Sequence, residues 1–404
     1  MKISRCERTH RAGVTRLTMR VRWEDREAPD DTIWFEFAAP PDLGSGAGVL
    51  ATADVSLRAA YPLAMWFGER RLLVDGDVTP RLADGARATM AMIAERAPSL
   101  RPVSLELTER VHPSFPVPSP ARKAALCMSG GVDALSALEE NQRTTAVEHP
   151  ARYTAGLFVF GLNSFDFDGG QEHPERRAAY EAMAARLERF VGAYGMSLTR
   201  VATNLRSLYP HFDAWWAVAH DSPLAAIGHA LRAQFHSLAI ASSGAGIAAG
   251  VTPHPLMDAL LASHDIDVHA AQVMLPRLEK LRRISAWPDA LAVLRVCLLI
   301  DLPTEGQVNC GRCEKCVRTM LQLLAIGGDA LARAPFSAHG VTPDAIARIP
   351  FELLPVRIFY PPLAPLLAAQ GRHDLADAIA RGLAGWQRRE PAPAKRAWWR
   401  IGRN

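Results

Sequence analysis

Residues 123–138 read KAALCMSGGVDALSAL, and this stretch decides the fold that we expect for the chain. Its first six residues are mostly apolar and predict a strand, whereas the residues after Gly131 have the composition of a helix. Between them, Ser129 and Gly130 begin a loop in which two adjacent glycines let the backbone approach an anion closely, and the serine adds a hydroxyl donor. The amide groups that open a helix carry partial positive charge. The stretch therefore predicts a strand, a polyphosphate-binding loop and a helix, with an ordinary tight turn as the alternative.

Apolar runs alternate with helical patterns from residue 121 onward, which predicts an α/β fold with a doubly wound parallel sheet. The predicted strands cover residues 123–128, 154–160, 198–203 and 237–242, and the predicted helices cover residues 133–142, 173–194 and 221–234. Ligands of such sheets bind beyond the carboxyl ends of the strands. Ser129, Gly161, Asn204 and Ser242 follow the four strands, so we expect them to face one crevice.

Four prolines within residues 111–120 predict an extended linker and the main domain boundary. Before it, residues 1–110 combine strand-like alternation with one helical pattern and predict an N-terminal α+β domain of unknown role. After it, residues 121–325 form the α/β domain, and residues 326–404 form C-terminal helices and a basic tail.

The charge balance gives no support for a nucleic-acid partner, because 46 Lys and Arg residues face 42 Asp and Glu residues, for a formal charge of +4. The first residues are charged and no run of about 18 apolar residues occurs, so we expect a cytoplasmic protein without a transmembrane segment. Residues 1–110 are the candidate surface for a second copy of the chain or a protein partner.

Three cysteines within residues 310–316, CGRCEKC, have the spacing of metal ligands. A closed site needs a fourth ligand, for which Cys297 is the best candidate, although an ordinary buried cysteine is the alternative reading. Zinc is the natural ion, and an iron–sulfur cluster, which also takes four thiolates, stays open. Metal binding at this motif would hold in place a loop that flanks the phosphate site.

The two motifs together resemble those of the PP-loop ATP pyrophosphatases, SGGxD[ST], and most of all the 7-cyano-7-deazaguanine synthase branch with its Cys and CGxCxxC zinc motif. The resemblance covers residues 121–325. A broader set of uncharacterised bacterial proteins with SGGVD and NCGRCEKCxRTM is also similar, the latter motif being read here from Asn309 to Met320.

The resemblance implies binding of ATP, Mg²⁺ and Zn²⁺. Ser129, Gly130, Gly131 and Asp133 would cradle the β and γ phosphates, with Asp133 also able to help hold Mg²⁺. Val132 belongs to the same loop. The zinc ligands would be Cys297, Cys310, Cys313 and Cys316.

The chain departs from the family pattern in two places. Ala134 occupies the position of a Ser or Thr that normally adds a hydroxyl donor, a role for which Ser136 is the nearest substitute. The interval from Cys297 to Cys310 is also longer than in the deazaguanine enzymes. The first departure bears on turnover, and the second bears on the identity of the substrate.

Arg277 and Lys280 are three residues apart on the predicted helix 276–284 and share one face, so they are candidates to contact the polyphosphate or the leaving pyrophosphate. A solvated charged face is the alternative. Further candidates, each with an ordinary structural alternative, follow the predicted strands. They are Asn163, Asp166, Asp168, Asn204, Arg206, Trp215, Trp216, His220, His254 and Asp258.

The predicted chemistry is Mg²⁺-dependent attack of a substrate carboxylate or carbonyl oxygen on the α phosphate of ATP, giving an adenylate and pyrophosphate. A nitrogen nucleophile such as ammonia then displaces AMP, because no cysteine pair for sulfur relay lies beside the loop and Cys127 should point into the sheet. Lys280, Arg277, Asp133 and Ser129 are the predicted catalytic residues. A nucleotide-binding regulatory or scaffold protein is the first alternative, and an RNA-modifying thiolase or ligase is the second.

Overall fold

The computed structural model describes residues 1–38, 48–109, 122–162, 167–168, 171–219, 221–243, 255–297, 308–336 and 340–387. In chain order the strands are β1 (Lys2–Ile3), β2 (Glu7–Arg11), β3 (Val14–Arg22), β4 (Asp31–Ala38), β5 (Arg71–Val74), β6 (Ser104–Leu107), β7 (Lys123–Cys127), β8 (Tyr153–Phe160), β9 (Phe167–Asp168), β10 (Gln171–Glu172), β11 (Ser197–Thr203), β12 (Phe235–Ala241) and β13 (Asp267–Ala271). The α-helices are α1 (Ala53–Trp66), α2 (Pro80–Arg96), α3 (Val132–Thr144), α4 (Pro174–Gly192), α5 (Phe212–Val218), α6 (Ser222–Ala230), α7 (Arg277–Ser285), α8 (Pro288–Ala292), α9 (Glu314–Ile326), α10 (Ala330–Arg333), α11 (Pro343–Ala347), α12 (Leu354–Arg357), α13 (Leu363–Ala369) and α14 (His373–Gln387). Two 3₁₀ turns cover Leu205–Leu208 and Pro255–Leu261.

One large, mostly parallel sheet has the strand order β13-β12-β7-β8-β11-β4-β3-β1-β5-β6, with β2 paired to β3. The five strands from β13 to β11 are mutually parallel. From β7, the chain moves through β8 and β11 to one side and then through β12 and β13 to the other, so the strand order reverses between β7 and β12. This confirms a mixed α/β fold, and the reversal is the point where open α/β sheets bind ligands.

Burial patterns explain why the two halves of the sheet differ. Strand β8, YTAGLFVF, is buried along nearly its whole length, as expected for a parallel strand covered on both faces. Strand β3, VTRLTMRVR, alternates buried and more exposed positions and pairs antiparallel with β4.

The N-terminal strands extend this sheet. Strand β4 pairs antiparallel with β11, with Phe35 opposite Thr203, so the residues before the predicted linker share a sheet with those after it. The structure therefore does not give residues 1–109 a sheet of their own, in contrast to the predicted separate α+β domain. The predicted linker, 111–120, lies outside the described residues.

The chain divides into two compact units. The first comprises Met1–Ser129, Asn141–Ser242 and Val251–Ala271, and it contains the large sheet. The second comprises Gly130–Glu140, Ser243–Gly250 and Gln272–Asn404, and its own core joins α9 to the helices that follow, with Leu321, Ile346, Tyr360 and Ile379 fully buried.

Helix bounds follow the predictions closely where local signals are strong. The predicted helix 133–142 is α3, and the predicted helix 276–284 is α7. The predicted helix 221–234 is shorter than expected, because α6 ends at Ala230 and a turn follows in which the Gln234 amide donates to the Leu231 carbonyl. Among the described helices, none has the length and apolar character needed to cross a membrane.

Candidate functional site

The loop after β7 begins at the end of a central strand and leads into α3. Ser129 is exposed and Gly130 is buried, with a φ of +72° that disfavours any side chain. The Gly130 carbonyl accepts a hydrogen bond of 2.8 Å from the Arg295 amide. Helix α3 then begins at Val132, one residue earlier than the pattern indicates. The observed order of strand, glycine loop and helix is the one that the sequence predicts.

Asp133, in the first turn of α3, is paired with both cations that the sequence places on one face of α7. Arg277 Nη1 lies 2.9 Å from one Asp133 oxygen, and Lys280 Nζ lies 3.3 Å from the other. The Lys280 side chain is fully buried and that of Arg277 is 8% exposed, whereas Asp133 retains 21% exposure. The structure thus brings together three of the four predicted catalytic residues within the second compact unit.

Helix α9 supplies further charged groups that the sequence analysis missed. Glu314 forms a 3.4 Å ion pair with Arg318 and accepts a hydrogen bond of 2.9 Å from the Tyr360 hydroxyl. Arg318 also lies over the Phe359 ring, 4.2 Å from its centroid. The signal for these residues was present in the sequence, because Glu314 and Lys315 lie within the cysteine motif and Arg318 lies two residues after it, all within about one helical turn.

The electrostatics of this group indicate that its cations are crowded and poorly solvated. Burial lowers the pKa of Arg277 and of Lys280, and Asp133 opposes both shifts. Burial also lowers the pKa of Lys315 to about 8, with smaller contributions from Arg318 and Arg277.

We call Asp133, Arg277, Lys280, Glu314, Lys315 and Arg318 the cation group. Its four basic side chains outnumber its two carboxylates, so these six side chains together are net positive. An excess of poorly hydrated cations beside a helix N-terminus is an arrangement that favours an anion.

The second motif forms a compact cluster of four thiols. The sulfur atoms of Cys297, Cys310, Cys313 and Cys316 all lie within 4.8 Å of one another. The distance from Cys297 Sγ to Cys313 Sγ is 3.9 Å, and that from Cys310 Sγ to Cys316 Sγ is 3.8 Å. Four sulfurs placed tetrahedrally at about 2.3 Å from one ion are about 3.8 Å apart, so this donor set can hold one metal ion and is compatible with zinc.

The backbone around the cluster supports metal-bound thiolates. The amides of Arg312 and Cys313 point at Cys310 Sγ, at 3.5 and 3.3 Å. Such N–H groups stabilise negative charge on sulfur. Cys297, predicted on composition and elimination, lies in an irregular segment after α8, neither in a strand nor in a helix, and it is 5% exposed.

Asn309, which the sequence analysis did not assign a role, holds the Cys297 segment against the rest of the motif. Its Oδ1 accepts hydrogen bonds from the amides of Val296 (2.8 Å) and Cys297 (3.2 Å). Its Nδ2 donates to the carbonyls of Leu294 (2.8 Å) and Pro335 (3.0 Å). The side chain is fully buried, and its bonds to Val296, Cys297 and Leu294 are buried, whereas the bond to Pro335 is partly buried.

The structure places three predicted cofactor residues in different settings, one buried, one at a positive φ and one bonded to the backbone of a neighbouring strand. Ser136 is fully buried, and its hydroxyl has no hydrogen-bond partner among the described residues. Gly161 has a φ of +93°, and a Cβ there would lie 1.7 Å from the Thr203 carbonyl oxygen. Asn204 accepts a hydrogen bond from the Trp34 amide (2.9 Å) and donates one to the Thr32 carbonyl (2.7 Å), so its side chain holds β4 beside the end of β11. A nucleotide-binding role for these three stays a prediction.

The remaining candidates divide into buried residues and residues without a described position. Trp215 is 2% exposed and packs edge to face against Tyr209 at 5.3 Å, as a core residue does. Cys127 packs beside the buried Ala225 and Ile240, and burial raises the pKa of its thiol. Arg206 is 8% exposed and donates to the Tyr209 carbonyl. Outside the described residues, or without a described side chain, are Asn163, Asp166, Asp168, Trp216, His220 and His254.

Comparisons with protein-family models, with curated proteins and with solved structures find no match to this chain. Its function is therefore argued from the geometry described above.

Proposed function

We propose that the chain is an ATP-dependent adenylating enzyme of the PP-loop type, similar to 7-cyano-7-deazaguanine synthases. It would join the AMP moiety of ATP to a carboxylate or carbonyl oxygen of a small substrate with release of pyrophosphate, after which ammonia or another nitrogen nucleophile displaces AMP. The observation that carries the proposal is the cation group around Asp133, at the start of the helix that follows the SGGVD loop.

The charges favour a polyphosphate over a neutral ligand. Arg277 and Lys280 both contact one carboxylate, and Lys315 and Arg318 add positive charge within electrostatic range. A polyphosphate brings several negative charges and would replace the lost hydration of these cations. Asp133 remains partly exposed, as a residue that helps to hold Mg²⁺ must be.

The topology also supports the proposal. The loop follows β7, one of the two strands between which the strand order reverses. Nucleotides in doubly wound sheets bind at such a reversal. In the proposed reaction the loop amides, Arg277 and Lys280 position the polyphosphate and neutralise the charge that the leaving pyrophosphate gains. The thiol cluster would hold zinc as a structural ion and take no part in the transfer.

A nucleotide-binding regulatory protein is the second candidate, and it is favoured by Ala134. This residue is 3% exposed in the first turn of α3, where the family has a hydroxyl donor, and Ser136 is fully buried. Binding of ATP without turnover is the behaviour expected of a loop that lacks this hydroxyl.

The test uses the full chain with [α-³²P]ATP, Mg²⁺ and a panel of small carboxylates and ammonium, with AMP and pyrophosphate as the measured products. ATP binding is measured separately by calorimetry. Lys280→Ala should weaken ATP binding about tenfold or more, the equivalent of one lost charge-assisted hydrogen bond. Arg282→Ala, which removes an exposed cation paired with Glu279 on the same helix, is the matched control and should bind ATP as the wild type does.

Pyrophosphate release with any acceptor supports the enzyme. ATP binding without release supports the regulatory protein. No ATP binding, or equal binding by Lys280→Ala and Arg282→Ala, refutes both.

A further inference from the structure

A cavity of about 430 Å³ opens at the end of β11 within the first compact unit. Its wall combines the 3₁₀ turn after β11 with the segment between β3 and β4 and with the residue that follows α1. Arg26, Asp30 and Asp31 are its charged residues, and Phe67 and Leu208 are its apolar ones. Sites for small molecules have volumes of about 300–1,000 Å³. The cavity therefore has the size of a small-molecule site and carries charges of both signs.

The opposite charges of this wall do not neutralise one another by direct contact. Neither Asp30 nor Asp31 has an oxygen within 4.0 Å of the Arg26 guanidinium nitrogens. The described residues give Asp30 no hydrogen-bond or ion-pair partner, and they give Arg26 only ring contacts. Charged groups that share a wall without meeting leave a gap that a ligand with complementary charges can bridge.

The indole of Trp23 holds two of these charges in place. Arg26 Cζ lies 4.7 Å from the centroid of the Trp23 ring and 4.1 Å from that of Phe67, and the two rings meet edge to face at 5.0 Å. The same indole donates through Nε1 to Asp31 Oδ2 at 2.9 Å.

This arrangement positions the guanidinium for a ligand. Trp23 is 7% exposed, so packing restrains the ring that carries Arg26 and bonds Asp31. A guanidinium stacked on aromatic rings keeps its N–H groups in its own plane, where they can bind a carboxylate. Arg26 and Asp31 are therefore both oriented before any ligand binds, which lowers the entropic cost of binding one.

We propose that this cavity binds a free amino acid, with the carboxylate of the ligand on Arg26 and its ammonium group between Asp30 and Asp31. A planar carboxylate matches the paired donors of a guanidinium, and an ammonium group has three donors for carboxylate oxygens. A ligand with a single charge would satisfy only one side of the wall, and a neutral apolar ligand would displace water from all three charged groups without replacing it. The proposal goes beyond the adenylation reaction and does not need ATP.

The test titrates the full chain with each of the standard amino acids in a calorimeter, without nucleotide. At least one of them should bind with a Kd below about 1 mM, a modest affinity for a ligand of this size. Its amide keeps only the ammonium group, and its N-acetyl derivative keeps only the carboxylate. Each derivative should bind about tenfold or more weakly, because each loses one charge-assisted contact.

Two substitutions and two matched controls assign the binding to this cavity. Arg26→Gln and Asp30→Asn should each weaken binding of the amino acid about tenfold or more. Arg20→Gln, at an exposed cation of β3 that does not line the cavity, should bind as the wild type does. Asp84→Asn, at a carboxylate of α2 that is 79% exposed, should do the same.

The indole N–H resonance of Trp23 gives a local readout in protein labelled with ¹⁵N-tryptophan, and Trp23→Phe assigns it. Binding of the amino acid should move this resonance, because the indole carries Arg26 and donates to Asp31. A moved resonance together with weaker binding by Arg26→Gln and Asp30→Asn supports the proposal. No amino acid bound at millimolar concentration, equal binding of the one-charge derivatives, or unchanged affinity in Arg26→Gln overturns it. Since ATP is absent throughout, failure of the proposed adenylation would leave all of these results as they are.

Discussion

Replacing Asn309 with alanine tests whether this side chain, and not the cysteines alone, builds the metal site. The substitution removes four hydrogen bonds and leaves two amides and two carbonyls without their partner, those of Val296, Cys297, Leu294 and Pro335. A buried polar group left unsatisfied costs about 1–3 kcal/mol, and local relaxation recovers part of that sum. We expect Asn309→Ala to lower the free energy of unfolding by about 4 kcal/mol.

The same change should weaken metal binding. Outer partners that orient metal ligands typically contribute about 10–100-fold to metal affinity. Because Asn309 fixes the amide of Cys297 itself, we expect a loss in that range for zinc, measured by competition with a chromogenic chelator. Unfolding is followed by circular dichroism in guanidinium at saturating zinc, so that the stability and the affinity are measured separately.

Asn141→Ala is the matched control. Asn141 also bridges backbone groups, donating to the Ala151 carbonyl and accepting from the Tyr153 amide, but it is partly exposed and distant in sequence from the cysteines. It should cost about 1–2 kcal/mol and leave zinc affinity unchanged. The reasoning fails if Asn309→Ala unfolds within about 0.5 kcal/mol of the wild type and binds zinc equally well.

Three further substitutions test residues that stabilise the first compact unit. Gly161→Ala should destabilise the protein by at least about 3 kcal/mol in chemical denaturation, because its Cβ would overlap the Thr203 carbonyl at a positive φ, whereas Gly192→Ala, with nothing within 4 Å of the added Cβ, should not. Asn204→Ala should lose about 2 kcal/mol by releasing two hydrogen bonds to β4, and an unchanged denaturation midpoint would contradict the role assigned to it. Burial lowers the pKa of His229 from 6.5 to about 4, so the folded protein holds the ring neutral at pH values where the unfolded chain protonates it. The free energy of unfolding is therefore unaffected by this group above pH 6.5 and falls by up to about 3 kcal/mol as the pH falls towards 4. His229→Gln should flatten that part of a pH–stability curve.

Local patterns in the sequence were sufficient to predict the elements around the loop. The apolar run before Ser129, the glycine pair and the helical composition after them specify β7, the loop and α3 without reference to the rest of the chain. The spacing of Arg277 and Lys280 likewise placed both on one face of α7, and both contact Asp133.

Pairings between distant segments could not be read in the same way. Strand β4 joins β11 across a large part of the chain, and no periodicity in residues 31–38 identifies that neighbour. The position of Asn204 after a strand predicts a ligand contact, whereas both halves of its amide are bonded to the backbone of β4. A polar residue at a strand end can hydrogen-bond to backbone groups as readily as to a ligand. Only the pairing of the strands shows which of these two partners it has.

The thiol cluster and the cation group are parts of one local structure, which would explain why a candidate metal motif accompanies the proposed phosphate loop. Two arms of chain meet at the thiol cluster, residues 295–297 and residues 313–318. On the first arm, the Arg295 amide donates to the Gly130 carbonyl two residues before Cys297. On the second arm, Lys315 lies between Cys313 and Cys316, and Arg318 lies half a turn beyond them on α9. A metal ion that joins Cys297 to the start of α9 therefore fixes both the backbone beside the loop and the direction of two cations. Removing the metal should weaken anion binding although no cysteine contacts the anion, because the ordering of both arms would then have to come from the binding energy of the anion itself.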